Sequence, residues 1–341
     1  MNLGKLGQAL TAKEIFDLIH DELVEVERKL SAESIASVDT VTAIGQYLQS
    51  AGGKRLRPAL LILSARLAAG EVSGDSARSP AAAIHLGAVV ELIHAATLVH
   101  DDVIDAAQTR RGRSSSNVKW GNHTCVLAGD WLYMQAFQIA LRERNFVILD
   151  LLIGLTQMMV EGELLQLERI GRIDISEPDC MELVDRKTAR LFSVCARLGV
   201  LAAHGDAALQ ERLGEYAWNL GMAFQLVDDV LDFTAREKTL GKPVGGDLRE
   251  GKVTLPLVYA LERATPAEHR LVRTILEQRS YDTVPFAHIL DLLEKYRGIE
   301  RVRDRAQAFT DKARMVINEF PDSAYQRALL TVTDLVTERD H

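Results

Sequence analysis

Apolar residues recur at three- and four-residue intervals along most of the chain, which predicts helices. In residues 14–49 the apolar residues with this spacing are Ile15, Leu18, Ile19, Leu23, Val26 and Leu30. An apolar run covers 59–69, and further helical patterns cover 81–106, 123–142, 146–170, 177–204, 207–234 and 253–263. The segment 81–106 is apolar almost all round, which predicts a helix buried on most sides. No period-two alternation competes, so we expect an all-α fold.

Glycine and proline predict where these helices are interrupted. Gly52 and Gly53 precede the basic cluster KRLRP at 54–58, and a glycine- and serine-containing segment at 70–79 is predicted to be a surface loop. Residues 239–251 hold four glycines and a proline between two helical patterns. A loop of this kind in a compact helical protein is typical of a functional segment.

Composition narrows the function classes. The chain has 341 residues, 48 acidic and 40 basic, and its net charge of −8 argues against a nonspecific nucleic-acid binder. Three widely spaced cysteines, Cys125, Cys180 and Cys195, indicate neither a disulfide framework nor a zinc site. This cysteine usage fits a reducing cytoplasm, so we expect a cytoplasmic protein. No apolar N-terminal core and no run of about 18 uninterrupted apolar residues is present, so we also expect it to be soluble.

Two aspartate clusters end two apolar helical patterns. ELIHAATLVHDDVID at 91–105 and WNLGMAFQLVDDVLD at 218–232 resemble each other at a distance of 127 positions, which indicates two facing helices. The clusters comprise Asp101, Asp102 and Asp105, and Asp228, Asp229 and Asp232. Helical i, i+4 positions share a face, so like charges meet there and favour a divalent cation. Mg²⁺ typically takes one or two carboxylate ligands from a protein, and phosphate groups of the substrate complete its coordination shell.

Basic residues surround these clusters in the sequence, as a phosphate or diphosphate ligand requires. They are Lys54, Arg55, Arg57, Arg110, Arg111, Arg113, Lys187, Lys242 and Lys252. Each alone is typical of a solvated base. Their placement around two acid clusters favours an anion site.

The motifs together resemble the all-trans polyprenyl diphosphate synthases, of the farnesyl and longer-chain kind, from about Gly52 to Pro256. The matching motifs are GGKRLRP at 52–58, LIHAATLVHDDVID at 92–105, RRG at 110–112, GD at 129–130, EGELLQ at 161–166, KTA at 187–189, FQLVDDVLD at 224–232 and GKPVGGDLREGKVTLP at 241–256. The resemblance implies a single all-helical domain over 1–341 with a motif-bearing core at about 50–260. This would be one large helical bundle of isoprenoid synthase type around a central apolar cavity.

The resemblance also implies roles for individual residues. It assigns Mg²⁺ ligation to Asp101, Asp105, Asp228 and Asp232. Asp102, Asp229 and Asp232 are expected to support these ligands, so Asp232 has both roles. Three Mg²⁺ ions are expected with substrate bound. Isopentenyl diphosphate is expected at Lys54, Arg57, His94 and Arg111. The allylic diphosphate is expected at Arg110, Lys187, Lys242 and Lys252. Thr188 and Gln225 are expected to direct oxygens towards the developing cation. A homodimer, and transient membrane association at product release, are further expectations.

Product length is predicted from the residues four and five positions before Asp101. These are Thr97 and Ala96. In the family, bulky aromatic residues at these positions stop elongation early, so small residues favour a product of about C30 to C50, with C40 as the central value. The floor of the tunnel is expected deeper, near Phe137, Ala140 or Leu152.

Other functions remain open at this point. A shorter-chain geranylgeranyl or farnesyl diphosphate synthase would share the motifs. A class I terpene cyclase would not need GGKRLRP and RRG, and a non-catalytic subunit would not need both acid clusters intact. A helical scaffold without enzyme activity would leave the acids and basic loops unexplained.

Overall fold

The computed structural model describes residues 11–50, 52–53, 55–73, 81–235 and 244–337. The helices are α1 (Ala12–Leu18), α2 (His20–Glu33), α3 (Asp39–Ser50), α4 (Leu56–Ser73), α5 (Ala81–Ile104), α6 (Ser116–Trp120), α7 (Asn122–Leu141), α8 (Phe146–Arg169), α9 (Glu177–Val184), α10 (Arg190–Ala202), α11 (Ala207–Thr234), α12 (Gly246–Arg249), α13 (Leu255–Leu261), α14 (Pro266–Gln278), α15 (Phe286–Lys295), α16 (Gly298–Asn318) and α17 (Ala324–Thr337). The all-α prediction is confirmed, and the predicted bounds of α7, α8 and α11 agree with the structure to within about a residue.

The helical pattern predicted over 14–49 is divided among three helices, α1, α2 and α3. The backbone leaves the helical region at Ile19, where φ is −125° and ψ is 22°. The second break follows Ser34, whose hydroxyl donates to the Leu30 carbonyl at 2.7 Å. Beyond it the Ala36 amide donates to the Thr42 hydroxyl at 2.9 Å. Local side-chain bonds of this kind compete with helix continuation, and apolar spacing alone does not reveal them.

Two non-α elements carry motif residues. Strands β1 (Thr109–Arg110) and β2 (Arg113–Ser114) pair antiparallel around a two-residue turn, although no strand was expected here. A π-helical turn, Asp185–Ala189, joins α9 to α10 within the predicted helix 177–204. The predicted loop at 239–251 is wrong in one part, since Gly246–Arg249 is the short helix α12.

The described residues group into two compact units. Unit 1 comprises Met1–Ile153, Phe192–Ala217 and Ala313–Leu335, and unit 2 comprises Gly154–Leu191, Trp218–Lys312 and Val336–His341. In unit 1, α5 packs against α7, α4 and α2. In unit 2, α13 packs against α9 and α15, and α12 against α14. The single-domain prediction stays a prediction.

Helix α5 is the central element of the unit 1 core. Its side chains from Leu86 to Ile93 are buried almost without interruption. By length and composition it is the one described helix apolar enough to cross a membrane, yet 61% of its most apolar window is buried against neighbouring protein. Burial of this extent is typical of a core helix. The first aspartate cluster therefore lies at the end of a core helix of unit 1.

Candidate functional site

The first acid cluster divides into one buried and two half-buried carboxylates. Asp102 is 1% exposed and accepts hydrogen bonds from Arg110 Nε at 2.6 Å, Ser116 N at 3.1 Å and Ser116 Oγ at 2.9 Å. Asp101 and Asp105 are half-buried at i, i+4 on the end of α5. Protein donors thus enclose Asp102, whereas Asp101 and Asp105 are only half-buried. This division supports the implied roles, in which Asp102 is supporting.

A cluster of positive charge lies in unit 1 around His94. Burial, and the charges of Arg57, Arg111, Arg110 and Arg55, hold the pKa of His94 well below its usual value of 6.5, so its imidazole is neutral at pH 7. Burial, with the charges of Arg110 and Arg55, also lowers the pKa of Arg111. The buried Nε of Arg57 has no hydrogen-bond partner among the described residues. Cations gathered in this way provide a site for an anion.

The hairpin turn presents the two arginines of the RRG motif. Arg111 and Gly112 both have positive φ, 52° and 73°, which is the conformation of a tight two-residue hairpin turn. The Arg111 guanidinium donates to the Gly52 carbonyl in the glycine loop. Two motifs that are 59 positions apart therefore join in one structure. Lys54, the remaining predicted member of this pocket, lies outside the described residues.

An ion-pair network behind this pocket was missed by the sequence analysis. Arg55, at a φ of 46°, donates to Glu27 on α2 and to Glu91 on α5, the latter at 3.0 Å. Glu91 is only 5% exposed, so its charge is buried together with that of Arg55. The position of Glu91 inside an apolar pattern was the available signal, because a buried acid requires a partner.

In unit 2 the π-helical turn carries Lys187 and Thr188. Lys187 Nζ donates to Gln166 Oε1 at 2.9 Å and forms an ion pair with Glu163, so the EGELLQ and KTA motifs are in contact. Thr188 donates its hydroxyl to Gln225 Oε1 at 2.7 Å. Isolated π-turns inside α-helices occur frequently at functional sites.

The second acid cluster shows the same division as the first. Asp228 is half-buried, whereas Asp229 and Asp232 are buried. Asp229 Oδ1 accepts a hydrogen bond from Gln225 Nε2 at 3.0 Å. Burial and the neighbouring charges of Asp247, Asp228 and Asp232 nevertheless raise the pKa of Asp229 well above its usual value. A site that collects negative charge in this way favours a bound cation.

Asp247 is a further carboxylate of this site that the sequence analysis did not single out. Its backbone amide donates to Asp232 Oδ2 at 3.2 Å, and its carbonyl accepts from the Lys252 amide at 2.8 Å. Lys252 Nζ itself donates to Glu250 at 2.8 Å. The motif GDLREGK contains Asp247, so the sequence already indicated a further carboxylate in this motif. Lys242, from the same motif, lies outside the described residues.

The donor chemistry fits Mg²⁺. All six cluster aspartates provide hard carboxylate oxygens, and the three most accessible are Asp101, Asp105 and Asp228. Within the described part of the chain, no three His, Cys, Asp or Glu side chains converge on one point as a complete metal cage would require. Mg²⁺ commonly uses one or two protein carboxylates together with substrate phosphates. The residues therefore suit ions that bind together with a diphosphate.

The residues predicted to control chain length lie on α5 in unit 1. Ala96 is fully buried, and the Thr97 hydroxyl donates back to the His94 carbonyl at 2.8 Å. Of the positions proposed for the tunnel floor, Ala140 and Leu152 are buried and Phe137 is half-buried. Their role in product length stays a prediction.

Proteins of known name or structure are similar to this chain over nearly its whole length. The family model described as "Polyprenyl synthetase" matches residues 38–293, which include the motif-bearing core. The octaprenyl diphosphate synthase of Haemophilus influenzae is 34% identical, covering 99% of this chain and 100% of its own length. The all-trans-nonaprenyl-diphosphate synthase of Rhodobacter capsulatus is 34% identical, covering 90% and 92% respectively. The crystal structure of a Caulobacter crescentus CB15 polyprenyl synthase, complexed with calcium and isoprenyl diphosphate, superposes with a TM-score of 0.90 at 33% identity over 98% of this chain and 99% of that one.

Proposed function

Since the chain belongs to the polyprenyl synthetase family, we propose that it is a trans-polyprenyl diphosphate synthase, a prenyltransferase that adds isopentenyl diphosphate repeatedly to an allylic diphosphate. One structural observation carries the proposal. In unit 1 a cationic cluster surrounds the neutral His94 on α5, the helix whose end carries the half-buried carboxylates Asp101 and Asp105. An anion site combined with a magnesium site is what an enzyme needs when diphosphate is its leaving group.

Isopentenyl diphosphate binds at Lys54, Arg57, His94 and Arg111. Arg57 and Arg111 provide the charge, and the buried Nε of Arg57 is a donor without a partner among the described residues. His94 is neutral, so it adds a hydrogen bond to the diphosphate without needing to lose a proton. This substrate is bound through its diphosphate, and its double bond is left free to react.

The allylic diphosphate binds through Mg²⁺, three ions per active site, together with Arg110, Lys187, Lys242 and Lys252. Asp101, Asp105, Asp228 and Asp232 hold the ions, while Asp102 and Asp229 support their neighbours. Bound Mg²⁺ supplies Lewis-acid stabilisation of the charge on the leaving diphosphate. The basic side chains add to this, and the ion pairs that hold Arg110, Lys187 and Lys252 reduce the cost of reorientation when the bond breaks.

Thr188 and Gln225 stabilise the allylic cation that ionisation creates. The Thr188 proton is engaged by Gln225, so the remaining lone pairs of the hydroxyl oxygen are available to positive charge. Apolar side chains along α5 and α11 exclude water that would quench the cation. The isopentenyl double bond then attacks the cation, a carbon–carbon bond forms, and one proton leaves, with the departing diphosphate as its acceptor.

The product is a long chain of about C30 to C50, with C40 as the central value. Ala96 and Thr97 support this length because neither side chain is large enough to block a tail that grows along α5. Two of the relatives named above are an octaprenyl diphosphate synthase and an all-trans-nonaprenyl-diphosphate synthase, which also supports a long product. A geranylgeranyl or farnesyl product remains the alternative.

The enzyme acts as a homodimer in the cytoplasm and contacts membranes transiently when it releases product. On α7, Leu127, Met134 and Leu141 are exposed at seven-residue spacing, by 68%, 62% and 44%. On α8 the same spacing and exposure recur at Phe146, Ile153, Val160 and Leu167. Apolar stripes of this period support helix pairing with a second copy. Sedimentation of Met134→Glu tests this, since a dimer unaffected by the charge would contradict it.

Product sizing tests the proposed activity. The purified chain is incubated with labelled isopentenyl diphosphate, Mg²⁺ and, in turn, C5, C10, C15 and C20 allylic primers. We expect a ladder of products that ends between C30 and C50. A ladder that ends at C15 or C20 would support the shorter-chain alternative, and absence of product with every primer would overturn the synthase proposal.

A further inference from the structure

The π-helical turn Asp185–Ala189 contains one more residue per turn than its flanking α-helices. Its defining hydrogen bond runs from the Arg190 amide to the Asp185 carbonyl, an i to i+5 bond. One extra residue rotates everything after it by about 100° around the helix axis relative to an uninterrupted α-helix. The turn therefore determines where Lys187 and Thr188 point.

The side chain of Asp185 holds the beginning of this turn. Its Oδ1 accepts a hydrogen bond from Trp218 Nε1 on α11 at 2.5 Å, and the Arg190 guanidinium lies 2.9 Å from the same oxygen. Asp185 and Arg190 are therefore joined twice across the turn, once through the backbone and once through their side chains. Trp218 is held in turn by an edge-on contact with Phe309, with ring centroids 5.7 Å apart.

Helix α11 holds the turn at a second point. Gln225 lies seven residues after Trp218, two helical turns further along the same face. Trp218 contacts the first residue of the turn and Gln225 contacts the fourth, Thr188. A π-turn is rare because its geometry is less favourable than that of an α-helix, so contacts from outside the segment are needed to maintain it. One face of α11 supplies two of them.

We propose that Asp185 and Trp218 are a positioning pair that maintains the π-turn, and so orients Lys187 and Thr188 towards the allylic substrate. The inference rests on the proposed function, because it concerns the roles assigned there to Lys187 and Thr188. Asp185 and Trp218 act through the turn and have no assigned contact with substrate. Asp185 lies outside every motif quoted from the sequence, and Trp218, the first residue of the segment 218–232, has no role assigned from the sequence.

Trp218→Phe is the main test, since it removes the indole N–H and retains an aromatic ring against Phe309. We expect the KM for the allylic primer to rise about tenfold, the typical effect of losing one hydrogen bond to a charged group. The KM for isopentenyl diphosphate should stay within about twofold, because its site lies in unit 1. Asp185→Ala should give the same split. The double variant should be little worse than either single variant, because both changes break one contact.

Controls separate positioning from general loss of structure. Trp131→Phe, a matched loss of an indole on α7 in unit 1, should leave both KM values unchanged. If Trp218→Phe leaves the allylic KM at the wild-type value, the proposal is wrong. It is also wrong if both KM values rise together while the thermal midpoint falls, since that result describes a merely structural role.

A binding measurement distinguishes failure of this proposal from failure of the proposed function. Calorimetry with pyrophosphate and Mg²⁺ reports on the same turn without turnover. If wild type forms no product with any primer, yet Trp218→Phe weakens pyrophosphate binding about tenfold, the synthase proposal fails and the positioning pair stands. If wild type is active and pyrophosphate binds both proteins equally, the positioning pair fails alone.

Discussion

The Thr188 hydroxyl donates a hydrogen bond to Gln225 at 2.7 Å, and Gln225 donates in turn to Asp229 at 3.0 Å. The chain of bonds connects the KTA motif to the second acid cluster, 37 residues away in sequence at the first link. These hydrogen bonds, and not burial alone, orient the hydroxyl oxygen of Thr188. Loss of the hydroxyl should therefore affect chemistry more than binding.

Thr188→Val should lower kcat by about 100- to 1,000-fold, the range found when one preorganised polar group is removed from a developing charge. The KM for isopentenyl diphosphate should not change. Thr188→Ser retains the hydroxyl and is the matched control, with kcat close to wild type. Steady-state kinetics with a fixed primer measures both, and a Val variant as fast as wild type would show that the oxygen has no role.

Removal of the charge of Asp102 should lower stability, whereas removal of the charge of Asp105 should mainly impair ligand binding. Asp102→Ala leaves the Arg110 guanidinium without its buried partner and should lower the free energy of unfolding by about 3 kcal/mol or more. Asp105→Asn should alter it by less than about 0.5 kcal/mol, because it reduces like-charge repulsion on the end of α5. We expect Asp105→Asn, instead, to abolish the rise in thermal midpoint produced by Mg²⁺ with pyrophosphate. Urea unfolding and thermal scans together test the contrast, which equal destabilisation by both changes would contradict.

The ring of His100 leaves no room for a side chain at Gly129, which belongs to the GD motif. A Cβ at Gly129 would lie 2.2 Å from His100 Nε2, which now lies 3.0 Å from the Val126 carbonyl. Gly129→Ala should therefore cost about 1–3 kcal/mol of unfolding free energy through overpacking.

Gly154 on α8 provides the matched control for this substitution. A Cβ there meets nothing within 4 Å, so Gly154→Ala should stabilise by up to about 1 kcal/mol through helix propensity. Adding His100→Ala to Gly129→Ala should relieve the overpacking. If both glycine variants unfold at the same urea concentration, the close approach is unimportant.

His94 should make stability depend on pH in the metal-free protein. Its pKa in the folded protein is well below the usual 6.5, so below pH 6.5 the unfolded chain binds a proton that the folded chain does not. The free energy of unfolding then falls with falling pH by up to about 1.4 kcal/mol per pH unit. The stabilising contribution is present above pH 6.5 and is lost on acidification.

His94→Gln isolates this contribution from that of the other histidines. The difference in unfolding free energy between wild type and His94→Gln should change in favour of the variant between pH 7.5 and 5.5. The exposed His123→Gln controls for loss of an imidazole. A difference for His94→Gln that is constant with pH would contradict the account.

Ala96→Phe should shorten the products. The ring would occupy the space along α5 that we propose for the growing tail, and because Ala96 is fully buried we also expect a stability loss of about 1–3 kcal/mol. Ala95→Phe, about 100° around the helix, is the positional control. Mass spectra of extracted products measure the distribution. An unchanged distribution would mean that the tunnel does not pass Ala96.

Much of this protein could be predicted from the sequence, because its strongest signals are local. Helix periodicity depends on neighbouring residues, and the predicted bounds of α8 and α11 agree with the structure for that reason. The aspartates share a helix face because i, i+4 geometry requires it, whatever the rest of the chain does. The motif spacing sufficed for the family, which the comparisons confirm.

Tertiary structure alone decided which member of each cluster is buried. Asp102 is enclosed because Arg110 and Ser116 return to it from a hairpin and a short helix. Its neighbour Asp101 remains half-buried. The π-turn, the charge of Glu91 and the position of Asp247 likewise depend on partners distant in sequence. Burial and the pKa values that follow from it are properties of the surroundings of a residue, and a pattern read along one chain does not contain them.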